Sequence, residues 1–199
     1  MRLVVAVILC VFSCISTAAI ADDQLYGRNR LAWFAGLGQA NIDGEEAFGQ
    51  GIEDSALYIR LGLEFQRSSW LYGFGLSGLI YDDNAEFSQT VRDQFGNIST
   101  ADSSAEAFDL YGEVGYRYMF STATYLDFFT GYEQVLTSGR SISNCTDCYD
   151  DDIDIDSGLY LMPRLQFETQ GGYIFSLSYR QYLSGDLENA IAFTIGKVN

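Results

Sequence analysis

Asp109 and Glu113 stand four residues apart ahead of Arg117, and Asp127 follows where a hairpin would bring it beside that arginine. Paired carboxylates in different environments can divide the work of a general acid and a general base. Histidine, however, is absent from all 199 residues, which removes the commonest proton shuttle and the commonest metal ligand. The same residue types have a plainer chemistry, because carboxylates that leave water need cationic partners. Arg60, Glu64, Asp109, Glu113, Arg117, Asp127, Glu133, Arg164, Glu168 and Arg180 recur on the polar side of alternating runs, four cations among six anions. They read as a packed ionic interior, and the chain reads as a non-enzyme.

Three further motifs invite chemistry. Cys145 and Cys148 form a C-x-x-C pair, yet zinc would need two more ligands, and the chain has neither histidine nor another cysteine beyond its first 21 residues. In an exported chain the pair reads as a local disulfide at a loop tip, worth less than the roughly 3 kcal/mol expected for a ring of about 15 residues. Asp150, Asp152, Asp154 and Asp156 offer carboxylate oxygens to a weakly held calcium or magnesium ion. An EF-hand is excluded: counting from Asp152 puts Ser157 where the glycine belongs and Pro163 where the bidentate glutamate belongs. Alternation with Ile153 and Ile155 also predicts that a strand continues through this segment with its acids on one side. Gly73-Phe74-Gly75-Leu76-Ser77-Gly78 spells the glycine pattern of dinucleotide sites but lies inside an alternating run. It lacks the strand-to-helix turn that presents amides to pyrophosphate, so no cofactor is expected beyond a weakly bound divalent ion.

Strands must position these groups. Leu57, Ile59, Leu61, Leu63 and Phe65 alternate with Tyr58, Arg60, Gly62, Glu64 and Gln66, a period of two that no helix produces. Similar runs at about 31–40, 69–80, 105–119, 123–134, 157–168, 172–183 and 189–198 bring the number to eight. Short connections at Arg67-Ser68, Ser121-Thr122 and Gln170-Gly171 alternate with longer ones at 41–55, 81–104, 135–156 and 184–188. Tight turns at one end and extended loops at the other predict a closed antiparallel barrel.

Composition decides which face looks outward. A soluble barrel covers its exterior with lysine and glutamate, whereas Lys197 is the single lysine here. The apolar rows therefore meet lipid, and Trp70, Tyr72, Tyr116, Tyr118, Tyr132, Tyr173 and Tyr179 suit the aromatic girdles where lipid meets water. Met1 and Arg2, an apolar stretch from Leu3 to Ile15 and the small residues Ala19-Ile20-Ala21 read as a secretory signal over 1–21, cleaved before a barrel domain spanning 22–199. The mature charge is then −17, of which the four long loops hold −16. So acidic a chain excludes nucleic acid as a partner, since no basic patch can displace counterions.

These features resemble the small eight-stranded outer-membrane barrels, the group that includes the transmembrane part of outer membrane protein A, outer membrane protein X and the opacity adhesins. The resemblance covers about 29–198 and rests on architecture. It implies an all-β, eight-stranded antiparallel transmembrane up-and-down barrel in a Gram-negative outer membrane, with long loops outside and termini in the periplasm. It implies as partners outer-membrane lipid and lipopolysaccharide, the barrel-assembly machinery during insertion, and an unidentified extracellular ligand of the acidic loops. The ending Phe193-Thr194-Ile195-Gly196-Lys197-Val198-Asn199 departs from the terminal aromatic that the assembly machinery reads in many members. Two other functions fit the same alternation: a narrow channel for small or apolar solutes, and a secreted, soluble lipocalin-like binder.

Overall fold

A computed structural model describes residues 29–83, 90–92, 95–100, 102–143 and 150–198. Residues 1–21, Cys145 and Cys148 lie outside the described residues. Eight long strands form the wall: β1 (Arg30–Ile42), β2 (Ile52–Arg67), β3 (Trp70–Asp83), β4 (Asp102–Met119), β5 (Thr124–Ser143), β6 (Leu159–Glu168), β7 (Tyr173–Tyr182) and β8 (Leu187–Val198). Each pairs antiparallel with its sequence neighbour, and β1 pairs with β8 to close the barrel. Closure leaves no open sheet edge in the lipid-crossing part, the condition for strands to cross lipid. A small ribbon pairs Thr90–Arg92 with Ile98–Thr100.

The two faces separate by chemistry. Leu61 is 54% exposed and Phe74 57%, while Arg60 and Asp127 are 2% and 0% exposed. Apolar side chains cover the outside and ionic ones fill the middle, the inverse of a soluble binder, so the lipocalin-like alternative is overturned by orientation. The glycine pattern in β3 makes room inside. A Cβ on Gly62 would come 1.9 Å from the Tyr111 hydroxyl, and one on Gly75 would come 2.5 Å from it, so these glycines bed a buried ring. No nucleotide turn is present there.

At the tight-turn end the strand limits follow the alternation closely. At the other end β1 to β5 and β8 run further than the alternation predicts, while β6 and β7 stop one or two residues short of it; β5 reaches Ser143 over 20 residues, about twice the ~10 that span an outer membrane. The loop expected at 41–55 contains helix α1 (Gly44–Gln50), and the end of β1 and the start of β2 take the rest. Asp43 caps the helix, its Oδ1 accepting from the Glu45 amide at 2.9 Å, and Glu45 and Glu46 complement the positive end of the dipole. Gly51, at φ 68°, ends it.

A β-bulge breaks the β4–β5 ladder. Phe108 pairs with Thr137 and Asp109 with Val135, which leaves Leu136 as the extra residue. Glu133 and Arg140 are seven positions apart and would face opposite sides in a regular strand; after the bulge both are buried, at 0% and 4% exposure. Opposite this stretch, residues 152–158 form no strand, contrary to the expected continuation of β6. Pairing resumes on either side in one register, Tyr132 with Leu159 and Arg140 with Asp151. The segment between keeps an alternating burial, with Ile153 and Ile155 inside and Asp152, Asp154 and Asp156 exposed.

Candidate functional site

The lumen is organised in levels. Toward the tight turns, the ladder sets Arg117 of β4 opposite Asp127 of β5, and Asp127 opposite Arg164 of β6. Asp127 Oδ1 accepts from Arg117 Nε at 2.8 Å, while its Oδ2 accepts from Arg117 Nη2 at 2.8 Å and from Arg164 Nη2 at 2.6 Å. Glu64 reaches across from β2 to Arg164 at 2.6 Å and to Arg117 at 3.5 Å. Gln66 and Gln166 accept the remaining Arg117 donors at 3.0 and 2.9 Å. Two cations and two anions thus neutralise each other in charge-assisted bonds, the strong kind in a water-poor interior. Glu168 stands apart on the tight-turn rim, half-buried and paired with Arg30.

The level above combines ions with rings. Arg60 Nη2 donates to Glu113 at 2.6 Å, and the Tyr160 hydroxyl donates to the other Glu113 oxygen at 2.8 Å. Arg180 Nη1 donates to Glu133 at 2.8 Å, and that carboxylate also accepts from the hydroxyls of Tyr58, Tyr182 and Ser77. The Arg60 guanidinium lies 4.0 Å from the Tyr111 ring centre and that of Arg180 4.4 Å from the Tyr160 ring centre, within cation–π range. Asp109 is fully buried in the same region, facing Ser157 and Glu133.

The long-loop mouth is closed by an apolar cap. Ile153 and Ile155 pack in one buried cluster with Ile42, Ala47, Ile52, Leu79 and Leu187. Backbone bonds sew the cap to its neighbours: the Asp154 amide donates to the Gln50 side chain at 3.3 Å, and the Asp156 amide to Asp186 at 2.7 Å. Arg140 Nη2 donates to the carbonyls of Gln50 and Gly51 at 2.8 and 3.0 Å, placing a cation at the negative end of α1.

Of the sequence-derived candidates, the structure brings Arg60, Glu64, Glu113, Arg117, Asp127, Glu133, Arg164 and Arg180 together. It does not bring the loop acids together. Asp152, Asp154 and Asp156 point outward, the Asp150 side chain lies outside the described residues, and among the described residues no three acidic side chains converge as metal ligands. Sequence reasoning missed the tyrosines that solvate the ions. Parity could have found Tyr58 two positions from Arg60, and Tyr111 between Asp109 and Glu113. Arg140, inside the stretch 135–156 expected as a connection, stands on the interior face of β5, because a bulge leaves no mark in the alternation.

Apolar rows against lipid, a closed ladder and an ion-filled lumen define the class: an integral outer-membrane β-barrel. The chain belongs to the outer membrane protein beta-barrel domain family, whose model matches residues 7–196, and it resides in the outer membrane. No curated protein matches its sequence. Among similar solved structures, Neisserial surface protein A has a TM-score of 0.47 at 7% identity, covering 85% of this chain and 95% of that one. Ail, the attachment invasion locus protein of Yersinia pestis, has a TM-score of 0.48 at 11% identity, covering 87% of this chain and 98% of that one.

Proposed function

We propose that this protein is a non-conducting, non-catalytic barrel that works at its acidic rim, engaging a cationic extracellular partner or bridging to lipopolysaccharide phosphates through divalent ions. The observation that carries the reading is the division of the molecule into a filled interior and a charged margin. Eight strands enclose just enough space for side chains, and here two ionic levels and an apolar cap occupy it. Above them Asp152, Asp154, Asp156, Glu45 and Glu46 are exposed. Charge so placed steers partners from a distance and loses its reach as salt screens it.

The test replaces residues 84–101 and 144–149 with short turns and, separately, Asp152, Asp154 and Asp156 with asparagine. Both variants should insert and keep a heat-dependent shift in gel mobility. Both should lose salt-sensitive binding to a polycationic peptide or to magnesium-loaded lipopolysaccharide. Unchanged binding would refute the rim assignment. Single-channel conductance above the lipid background would instead support the narrow channel.

A further inference from the structure

We propose that the barrel thins the membrane along β7, β8 and β1, where a patch of carboxamides meets lipid headgroups at a depth that acyl chains cover on the opposite side. The first observation is the height of the apolar belt. On β3 and β4 the outward side chains are apolar from Trp70 to Ile80 and from Phe108 to Tyr118, interrupted only by Gly78 and Gly112. A strand tilted as in such barrels gains ~2.5 Å of height per residue, so each row stands about 25 Å tall, the full apolar band of an outer-membrane barrel. The outward row runs only from Leu31 to Leu37 on β1, from Tyr173 to Tyr179 on β7 and from Ile191 to Ile195 on β8. Those rows are about 15, 15 and 10 Å tall on the same scale.

The shortfall lies at one end. The ladder passes from Trp33 through Leu63, Phe74, Gly112 and Tyr132 to Leu159, and the other way through Lys197 to Tyr173, whose carbonyl accepts from Thr169 at the foot of β6. Leu159 and Thr169 are ten residues apart, so eight strands share a stagger of ten, and a level plane departs from the ladder by about 1.25 residues per strand. With that allowance Leu31, Trp70, Tyr118, Phe167 and Tyr173, at the tight-turn ends of their rows, fall within about one residue of a single plane. The long-loop ends do not: Leu57, Ile80 and Phe108 stand about four residues, or ~10 Å, higher than Leu37, Tyr179 and Ile191.

On the short side the next outward positions are Gln39 and Asn41 on β1, Gln181 on β7 and Asn189 on β8. Asn41 donates to Asn189 at 2.9 Å, the Tyr179 hydroxyl donates to Gln181 at 3.0 Å, and Gln181 donates to the Glu188 carbonyl at 2.9 Å. Among the described residues of β7, β8 and the turn between them, Leu183 is the one large apolar side chain exposed above these amides. Amides are costly to leave in hydrocarbon, and a bilayer meets a short apolar span by thinning, or the protein meets it by tilting. A tilt that levelled the upper boundary would slant the lower one, which is already level and lined by Trp33, Trp70, Tyr118 and Tyr173, rings that anchor at an interface. Thinning on the long-loop side satisfies both boundaries.

The experiment uses the full mature chain in phosphatidylcholine vesicles whose acyl chains carry bromine, a contact quencher, near the glycerol, midway or near the methyl end. Gln39 and Leu110 stand at nearly one height on opposite sides, so Q39W and L110W are compared, each with Trp33 and Trp70 replaced by phenylalanine and each in its inserted, heat-modifiable form. Mid-chain bromine should quench L110W at least twofold more than Q39W, whose emission should lie at longer wavelength. Adding Q181L/N189L to Q39W should draw acyl chains up this face and raise its quenching toward that of L110W. The variants W70F and W33F, which keep one native tryptophan each, should both be quenched more from the glycerol end than from the methyl end. Equal quenching of Q39W and L110W would overturn the proposal, as would a Q39W signal indifferent to Q181L/N189L. Quenching of Trp33 chiefly from the methyl end would overturn it in favour of a tilted barrel in an unthinned bilayer.

Discussion

Asp127→Asn is the sharpest probe of the ionic lumen. Asp127 receives donors from both Arg117 and Arg164 and is 0% exposed, so the substitution removes the charge that two buried guanidinium groups share. Breaking a buried ion pair by deleting one partner costs about 3–5 kcal/mol, most of it from the charge left behind. Glu64 remains near both arginines at 2.6 and 3.5 Å, and Gln66 and Gln166 still accept from Arg117, which places the cost at the lower end, about 3 kcal/mol. Glu168→Gln is the internal comparison. The Arg30 and Glu168 side chains are 28% and 14% exposed at the rim, where solvent screening limits an ion pair to about 0–1 kcal/mol. Urea unfolding in micelles, followed by tryptophan fluorescence and by gel mobility without boiling, measures both. If D127N costs less than about 1 kcal/mol, no more than the rim pair, the arginines are solvated and the filled-lumen reading is wrong.

Leu61→Arg, at an outward position 54% exposed, should destabilise the inserted protein by about 2–4 kcal/mol in lipid vesicles, the cost of an arginine near the bilayer midplane. A neutral result there would mean that this row does not face lipid. Gly62→Ala should cost about 1–3 kcal/mol by overpacking, because its Cβ meets the Tyr111 hydroxyl, and adding Tyr111→Phe should recover part of the loss. Arg140→Ala should remove the cation that holds the carbonyls at the end of α1. Limited proteolysis should then cut at α1 several times faster while the gel-mobility shift persists.

The lipid-crossing part of the barrel was legible because there the environment has two sides. Between Leu57 and Gln66 every other residue must satisfy hydrocarbon and the rest must satisfy one another, so the period of two survives in the letters. Above the membrane no hydrocarbon enforces that contrast on the outer face, and the stretch Thr137-Ser138-Gly139-Arg140-Ser141 carries none although it lies within β5. That is why β5 extends past the alternation at its long-loop end. Helix α1 did leave a signal, a capping aspartate followed by two glutamates, but seven residues are too few for helical periodicity to show. The ionic partners were legible as a set and illegible as pairs. Which arginine meets which acid depends on register across strands distant in sequence, as with Arg60 and Glu113.

The bulge at Leu136 accounts for features that otherwise look unrelated. One inserted residue lets Arg140 join the interior face, where it grips the carbonyls that end α1 and pairs with Asp83 of β3. The facing segment changes parity at the same height: Ser157 and Gly158 are buried in succession, after which Tyr160, Met162 and Arg164 take the inward positions. Two compensating shifts keep the register intact on both sides of 152–158, so this segment can lean inward without dragging β6 out of line. Leaning inward brings Ile153 and Ile155 over the lumen and leaves the intervening aspartates on the outside. The closed mouth and the acidic margin therefore rest on two matched parity changes, one at Leu136 in β5 and one at Ser157-Gly158 in the segment facing it.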